Sequence, residues 1–381
     1  MSNKIKNIVV SVLFACFVGV FSLLCVMRIF DPVKYSDVEK RPMAQFPSNI
    51  TIESVLNTKD EDKSTIKLFE KFTVDQFPLR EFFRSLKAKY QLEILGMKEN
   101  NGYAEKDGSI IEIEQTFTEE NVKYTLEQLA KLYEKLANNG GNKYVSLIPD
   151  KNYFLGTEYG YPVRDYGWIV NQLKGALPNM EYIDIFGALS LEDYYLTDWH
   201  WKQESLGEVL QTLAEAMGSA DRFSGAYTEN KLEGFKGGYT AMSALYPDPE
   251  VLTYLTSEIL DALAVYDYET GKTHDIYNEK EFGGKEPYNF FLYGTRALLR
   301  IDNPNATTDK ELILFRDSFG SSIAPLLAEG YKSIYVVDTR YIDPAFIFDA
   351  ESSFYIDVEG KDVLFLYSVT ILDQRILKEV K

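Results

Sequence analysis

The run Leu312-Ile313-Leu314-Phe315-Arg316-Asp317-Ser318-Phe319-Gly320 decides how this chain is read. Four consecutive apolar residues after Glu311 form a short strand, and the residues from Phe319 onward open a helix over 319–329. Ser318 therefore occupies a strand-to-helix turn. Such a turn presents a hydroxyl at a helix N-terminus, where unpaired backbone N–H groups hold a developing negative charge. A plainer role competes with this one, since Asp317 or Ser318 as a helix N-cap explains the same residue types.

The same alternation extends in both directions along the chain. A helix over 119–137 stops at Gly140-Gly141 and leads into the strand Lys143-Tyr144-Val145-Ser146-Leu147-Ile148, which ends at Pro149. Residues 167–176 read as a helix and 181–185 as a strand. Residues 202–217 read as a helix with Leu206, Val209, Leu210, Leu213 and Met217 on one face. Further strands are expected over 332–337 and 362–367. Helices alternating with strands predict an α/β domain with an open, largely parallel sheet, whose reactive groups collect at the carboxyl ends of the strands. The stretch 225–303 breaks the pattern with Tyr, Gly and Thr clusters and the hairpin-like Tyr268-Glu269-Thr270-Gly271-Lys272-Thr273. It reads as an insertion of strands and loops forming a lid or substrate platform.

At the N-terminus, residues 8–27 are apolar and uncharged. At a rise of about 1.5 Å per residue they cross the roughly 30 Å hydrocarbon layer of a bilayer. Lys4 and Lys6 precede the block, while Asp31, Asp37 and Glu39 follow it soon after Arg28. That asymmetry keeps the N-terminus cytoplasmic and the bulk of the chain outside. An uncleaved anchor over 1–30 is favoured over a cleaved signal peptide, whose apolar region is shorter and ends in small residues, unlike Leu24-Cys25-Val26-Met27. Lipidation at Cys16 is a weaker third reading. Prolines 32, 42 and 47 mark an extended linker over 31–60, and 64–95 reads as two amphipathic helices broken at Pro78.

Both cysteines, Cys16 and Cys25, lie inside the apolar block, so the rest of the chain forms no internal disulfide and depends on its core. With 45% hydrophobic residues, 27 Tyr and 24 Phe, it has the apolar surface for a large domain over 61–381. The formal charge of −18 repels nucleic acid and anionic headgroups, which argues against both as partners, and leaves a neutral or cationic glycan acceptable.

Only two histidines occur in the chain. His274 sits in a polar, turn-like stretch and reads as surface, and two isolated histidines make no zinc set. His200 lies in Tyr194-Tyr195-Leu196-Thr197-Asp198-Trp199-His200-Trp201. In an extended segment Asp198 and His200 point the same way, so the carboxylate fixes the imidazole tautomer. The bland reading is that Trp199 and Trp201 are core anchors with His200 merely between them. Together with Ser318, these residues supply the acid, base and alcohol of a serine hydrolase or acyltransferase.

Those two runs, with Glu39-Lys40-Arg41-Pro42, Phe46-Pro47, Asp75-Gln76-Phe77-Pro78-Leu79-Arg80, Asn101-Gly102, Asp107-Gly108 and Pro149-Asp150-Lys151, resemble the bacterial DHHW proteins. These are similar to the alginate O-acetyltransferases of the SGNH (GDSL-type) superfamily. The resemblance implies a three-layer α/β/α sheet and a triad of Ser318, His200 and Asp198. It also implies transfer of an acetyl group to a cell-surface glycan, supplied by a separate integral membrane acyltransferase, with no cofactor and no metal. Trp199 stands where the name-giving motif has histidine. Backbone N–H groups near Phe319 and at Gly294 are the candidates for the oxyanion hole, and Arg340 either orients the site or makes a sheet-end ion pair. A carbohydrate esterase using the same triad and a non-catalytic envelope assembly protein are the alternatives.

Overall fold

The computed structural model describes residues 3–36, 38–39, 41–48, 64–113, 118–155, 160–223, 225–284 and 286–380. Of the linker expected over 31–60, residues 49–60 lie outside this set, as do Asp37 and Lys40. The chain divides into two compact units, 1–100 with 240–246, and 101–239 with 247–381.

The first unit begins with helix α1 (Asn3–Phe30), which is long and apolar enough to cross a membrane. Short strands β1 (Tyr35–Ser36) and β2 (Arg41–Pro42) pair antiparallel within the described part of the linker. Helices α2 (Thr65–Asp75) and α3 (Arg80–Lys89) follow, and α3 continues as a π-helix over Tyr90–Ile94. The break falls where Pro78 removes a backbone donor. Arg41 ties the linker to α2, donating from Nη1 and Nη2 to the Asp75 carboxylate at 2.8 and 2.6 Å.

The second unit opens with the hairpin β3 (Tyr103–Lys106) and β4 (Ser109–Glu112), then α4 (Glu119–Leu136), β5 (Lys143–Ile148), α5 (Lys151–Leu155), α6 (Tyr166–Ala176) and β6 (Glu181–Tyr182). Next come α7 (Gly207–Ala216), the hairpin β7 (Thr228–Phe235) and β8 (Glu250–Thr256), and strands β9 (Ala264–Asp267), β10 (Lys272–His274) and β11 (Leu298–Asp302). The chain ends with β12 (Glu311–Arg316), α8 (Gly320–Leu327), β13 (Ser333–Val337), β14 (Asp362–Ser368) and α9 (Val369–Gln374).

One eight-stranded sheet runs β10-β9-β11-β13-β12-β14-β5-β6. The five strands from β13 to β6 are parallel, and β11, β9 and β10 extend the β13 edge antiparallel. The stretch 225–303 thus completes the sheet with three strands besides the β7–β8 hairpin. Leu312 and Leu314 face one side with α7 and α8, while Ile313 and Phe315 face the other with α4 and α6. Helices on both faces explain why the central strands are apolar throughout rather than alternating. Each such side chain, fully buried, contributes roughly 1.5–3 kcal/mol relative to exposure.

Candidate active site

Strand β12 lies between β13 and β14, so its carboxyl end opens onto the crevice expected of a parallel sheet. Asp317 fixes the turn that follows. Its Oδ1 accepts from the Phe319 N–H at 3.0 Å, and its Oδ2 accepts from the Ser368 N–H at the end of β14 at 2.8 Å. With the Phe319 N–H held by Asp317, the Ser318 hydroxyl makes no cap bond and meets His200 instead.

Asp198 and His200 arrive on a tight bend rather than an extended segment. The bend is closed by the Tyr194–Trp201 antiparallel bridge and by the Tyr195 N–H donating to the His200 carbonyl at 3.1 Å. Trp201, fully buried, bolts the bend to the serine helix through Nε1, which donates to the Phe319 carbonyl at 3.0 Å and to Ser322 Oγ at 2.9 Å. Gln203 repeats the link by donating to the Ser322 carbonyl at 2.7 Å. The expected helix over 202–217 begins as a 3₁₀ turn at Gln203–Ser205 and becomes α-helical only at Gly207.

These ties bring Asp198, His200 and Ser318 into one line. Asp198 Oδ1 lies 2.6 Å from His200 Nδ1, and His200 Nε2 lies 2.7 Å from Ser318 Oγ. A carboxylate at Nδ1 holds the ring proton there, leaving the Nε2 lone pair to accept from the serine hydroxyl. Asp198 also accepts from the His200 backbone N–H at 3.0 Å and the Gly238 N–H at 2.9 Å. Burial opposes its ionisation, but its electrostatic attraction to the His200 ring and these hydrogen bonds overcome that and hold its pKa at about 2. Two aromatic groups complete the surroundings of the imidazole. The Tyr288 ring stacks on it at 3.7 Å with its hydroxyl donating to Ser322 Oγ at 2.8 Å, and Trp199 Nε1 donates to His200 Nε2 at 3.0 Å. Trp199 and Ser318 therefore share one acceptor.

A second set of groups holds the bend from below. Lys151, buried, donates from Nζ to the carbonyls of Ile110 at 2.7 Å, Tyr195 at 2.8 Å, Leu196 at 3.1 Å and Asp198 at 3.2 Å. Burial pushes this lysine down to about 7, although Glu250 and Asp198 pull the other way. Glu250 accepts from the backbone N–H groups of Leu196 and Thr197 at 2.6 and 2.7 Å. Gly238 is required for close approach, because a Cβ there would enter the Trp199 ring.

The site opens into a cavity of about 310 Å³ that Gly294, Arg340, Arg316, Tyr288, Asn289 and Trp199 line with His200 and Ser318. Gly294 is thus beside the serine, with φ +72° and no room for a Cβ against Asn289. Its N–H, however, donates to the Phe291 carbonyl at 3.1 Å. The Phe319 N–H is likewise engaged by Asp317, and the Phe319 ring packs on His200 at 4.9 Å. Both expected oxyanion amides are thus already donating, whereas the Ser318 N–H forms no hydrogen bond among the described residues. Arg340 makes the sheet-end ion pair, its Nε and Nη2 donating to Asp338 at 2.8 and 2.6 Å. Arg316 shares Asp338, and its buried Nε and Nη2 have no partner among the described residues. His274 lies away from this chain of bonds, half-buried on β10 against Tyr293. Sequence reasoning missed Lys151, Glu250, Tyr288, Asn289 and Arg316 as parts of the site, though Lys151 and Arg316 stand in motifs it had singled out.

No protein-family model matches the chain, and no curated protein matches it. Among solved structures it is similar to a DHHW family protein from Eubacterium siraeum, with 23% identity, 74% of this chain and 94% of that one covered, and a TM-score of 0.58. It is also similar to Bacillus cereus PatB1 carrying a sulfonyl adduct, with 20% identity, 73% and 98% covered, and a TM-score of 0.55. The O-acetyltransferase domain of Pseudomonas putida AlgJ matches at 15% identity over 72% of this chain and 92% of that domain, with a TM-score of 0.43. The chain thus has a mixed α/β fold, with a mostly parallel central sheet, that it shares with a DHHW family protein and with PatB1.

Proposed function

We propose that this chain is a membrane-anchored, extracytoplasmic O-acyltransferase that places acetyl groups on hydroxyls of a cell-surface polysaccharide. The observation that carries the proposal is the continuous hydrogen-bonded line from Asp198 through His200 to Ser318, at 2.6 and 2.7 Å. His200 takes the Ser318 proton as Oγ attacks the carbonyl carbon of an acyl ester. The resulting oxyanion is met by the Ser318 N–H, and the leaving alcohol departs with the proton from His200. A sugar hydroxyl then gives its proton to His200, attacks the acyl-serine, and leaves as the new ester while Ser318 regains its proton. Trp199, Tyr288 and Tyr341 at the cavity wall suit the apolar faces of a pyranose ring, and Arg340 orients the substrate from its ion pair with Asp338.

Helix α1 is the anchor in this reading, with residues 1–30 leading from the cytoplasm, and a separate integral membrane acyltransferase delivers acetyl groups to the outer side. The triad geometry is indifferent to whether water or sugar accepts the acyl group. Acetyl release from p-nitrophenyl acetate, measured with and without a glycan acceptor, tests the point. Transfer predicts acetylated glycan and faster p-nitrophenol release when the acceptor is present. Free acetate alone at an unchanged rate marks a carbohydrate esterase. One observation favours a non-catalytic reading: the Trp199 N–H donates to the same Nε2 atom that the serine needs. The absence of any turnover by folded protein would support it.

A further inference from the structure

Within the first unit, α3 and its π-helical continuation are amphipathic in an inverted sense. Leu79, Phe82, Phe83, Leu86, Tyr90 and Ile94 recur at helical spacing and are all exposed, from 37% for Phe83 to 71% for Ile94. Arg80, Glu81 and Arg84 of the same helix face inward, while Lys87 and Lys89 stay exposed. Arg80 pairs with Glu39, Arg84 Nη1 lies 3.3 Å from Glu39, and Arg84 Nη2 donates to the Ala241 carbonyl at 2.8 Å. Glu81 accepts from the Tyr246 hydroxyl at 2.8 Å, and Ala88 on that side is fully buried. A helix facing water would reverse this arrangement, since exposing large aromatic and aliphatic groups while spending charges on internal contacts is unfavourable in an aqueous setting.

The exposed stripe is continuous with α1. The Phe21 ring of α1 lies 5.2 Å from Phe77 and 6.1 Å from Phe83, and Phe77 and Phe83 are 5.8 Å apart. Phe21 is within the apolar block, six residues before Met27, or about 9 Å of helix from its outer end. If α1 spans the bilayer, the rings that touch Phe21 are at acyl-chain depth. We propose that α3 and Tyr90–Ile94 lie along the outer leaflet as a second, in-plane membrane anchor whose apolar stripe is solvated by lipid acyl chains. The inference rests on the spanning reading of α1 and goes beyond it, because a single spanning helix alone would leave this stripe in water.

The test uses the full chain in phosphatidylcholine vesicles, with Cys16→Ala and Cys25→Ala and one new cysteine carrying an environment-sensitive nitrobenzoxadiazole label. Positions Phe82→Cys, Leu86→Cys and Ile94→Cys report on the stripe, Phe14→Cys on the span, and Lys135→Cys on an exposed helix of the other unit. Lipids brominated on the acyl chains are expected to quench the three stripe labels at least twofold, as at position 14, and to leave position 135 unchanged. Quenching at 14 without quenching at 82, 86 and 94 overturns the in-plane anchor while keeping the span. Absence of quenching at 14 as well removes the span and the inference with it. Disulfide cross-linking of 82 to 82 between copies, with no quenching there, assigns the stripe to a second copy and equally overturns the proposal.

Discussion

Replacing Asp198 by Asn changes one atom and separates the roles of the carboxylate. Three donors converge on it, from the His200 ring, the His200 backbone and Gly238. An amide has one acceptor oxygen. If that oxygen stays toward His200, the new NH₂ meets the Gly238 N–H, donor against donor. If the amide flips, the NH₂ faces Nδ1, which must then accept, and the ring proton moves to Nε2. There it points at Ser318 and at Trp199 Nε1, so the base is lost. The predicted fall in kcat/KM for p-nitrophenyl acetate is on the order of 10³–10⁴-fold, or about 4–5 kcal/mol of transition-state stabilisation. Stability changes too. A buried carboxylate held at about 2 instead of 3.8 favours the folded state by about 2 kcal/mol. Because the folded value is the lower one, that contribution is present above pH 3.8 and lost as pH falls toward 2. Chemical denaturation of Asp198→Asn should therefore show lower stability at pH 7 and a shallower decline between pH 4 and 2. A folded variant with activity within tenfold of the parent would refute the reasoning, since the carboxylate would then not be setting the tautomer.

Trp199→Phe removes the donor competing for Nε2, and with a net hydrogen bond worth about 1 kcal/mol the rate of serine acylation should rise several-fold; an unchanged or lower burst rate counts against the competition. Lys151→Met strips the ammonium from four carbonyls, three of them buried, so stability is expected to drop by about 3 kcal/mol and kcat by tenfold or more. The same variant has a pH signature. With its pKa lowered from 10.5 to about 7 in the folded chain, Lys151 binds fewer protons there than when unfolded, so stability rises between pH 7 and 10.5, and that part of the rise should vanish in Lys151→Met. Gly238→Ala drives a methyl group into the Trp199 ring and pulls the Gly238 N–H from Asp198, and should lower kcat/KM by ten- to a hundredfold. Retained activity with an unshifted melting curve would show that the close approach is slack.

The strands β5, β12, β13 and β14 were legible in the sequence because burial on both faces leaves apolar runs, broken in β5 only by Ser146. Ser318, His200 and Asp198 were legible because a strand-to-helix turn and an Asp-x-His pair are local patterns. Strands β9 to β11 could be suspected as strands but not placed, since nothing local fixes the antiparallel register that joins Leu299 to Asp267 and to Val336. The bend at 194–201 reads as extended from local sequence for a similar reason. Its shape comes from Lys151 and Glu250, about 50 residues away on either side. That the Phe319 and Gly294 N–H groups already donate, to Asp317 and to the Phe291 carbonyl, was not legible, because those acceptors emerge only when the turns are closed.

The central claim is that Ser318 is the nucleophile and His200 its base. Intact-mass measurement after treatment with methylsulfonyl fluoride addresses it directly. The account predicts addition of one sulfonyl group that maps to Ser318, is absent in Ser318→Ala, and slows by at least a thousandfold in His200→Ala. Full labelling of Ser318→Ala, or no labelling of the folded parent chain, would contradict it.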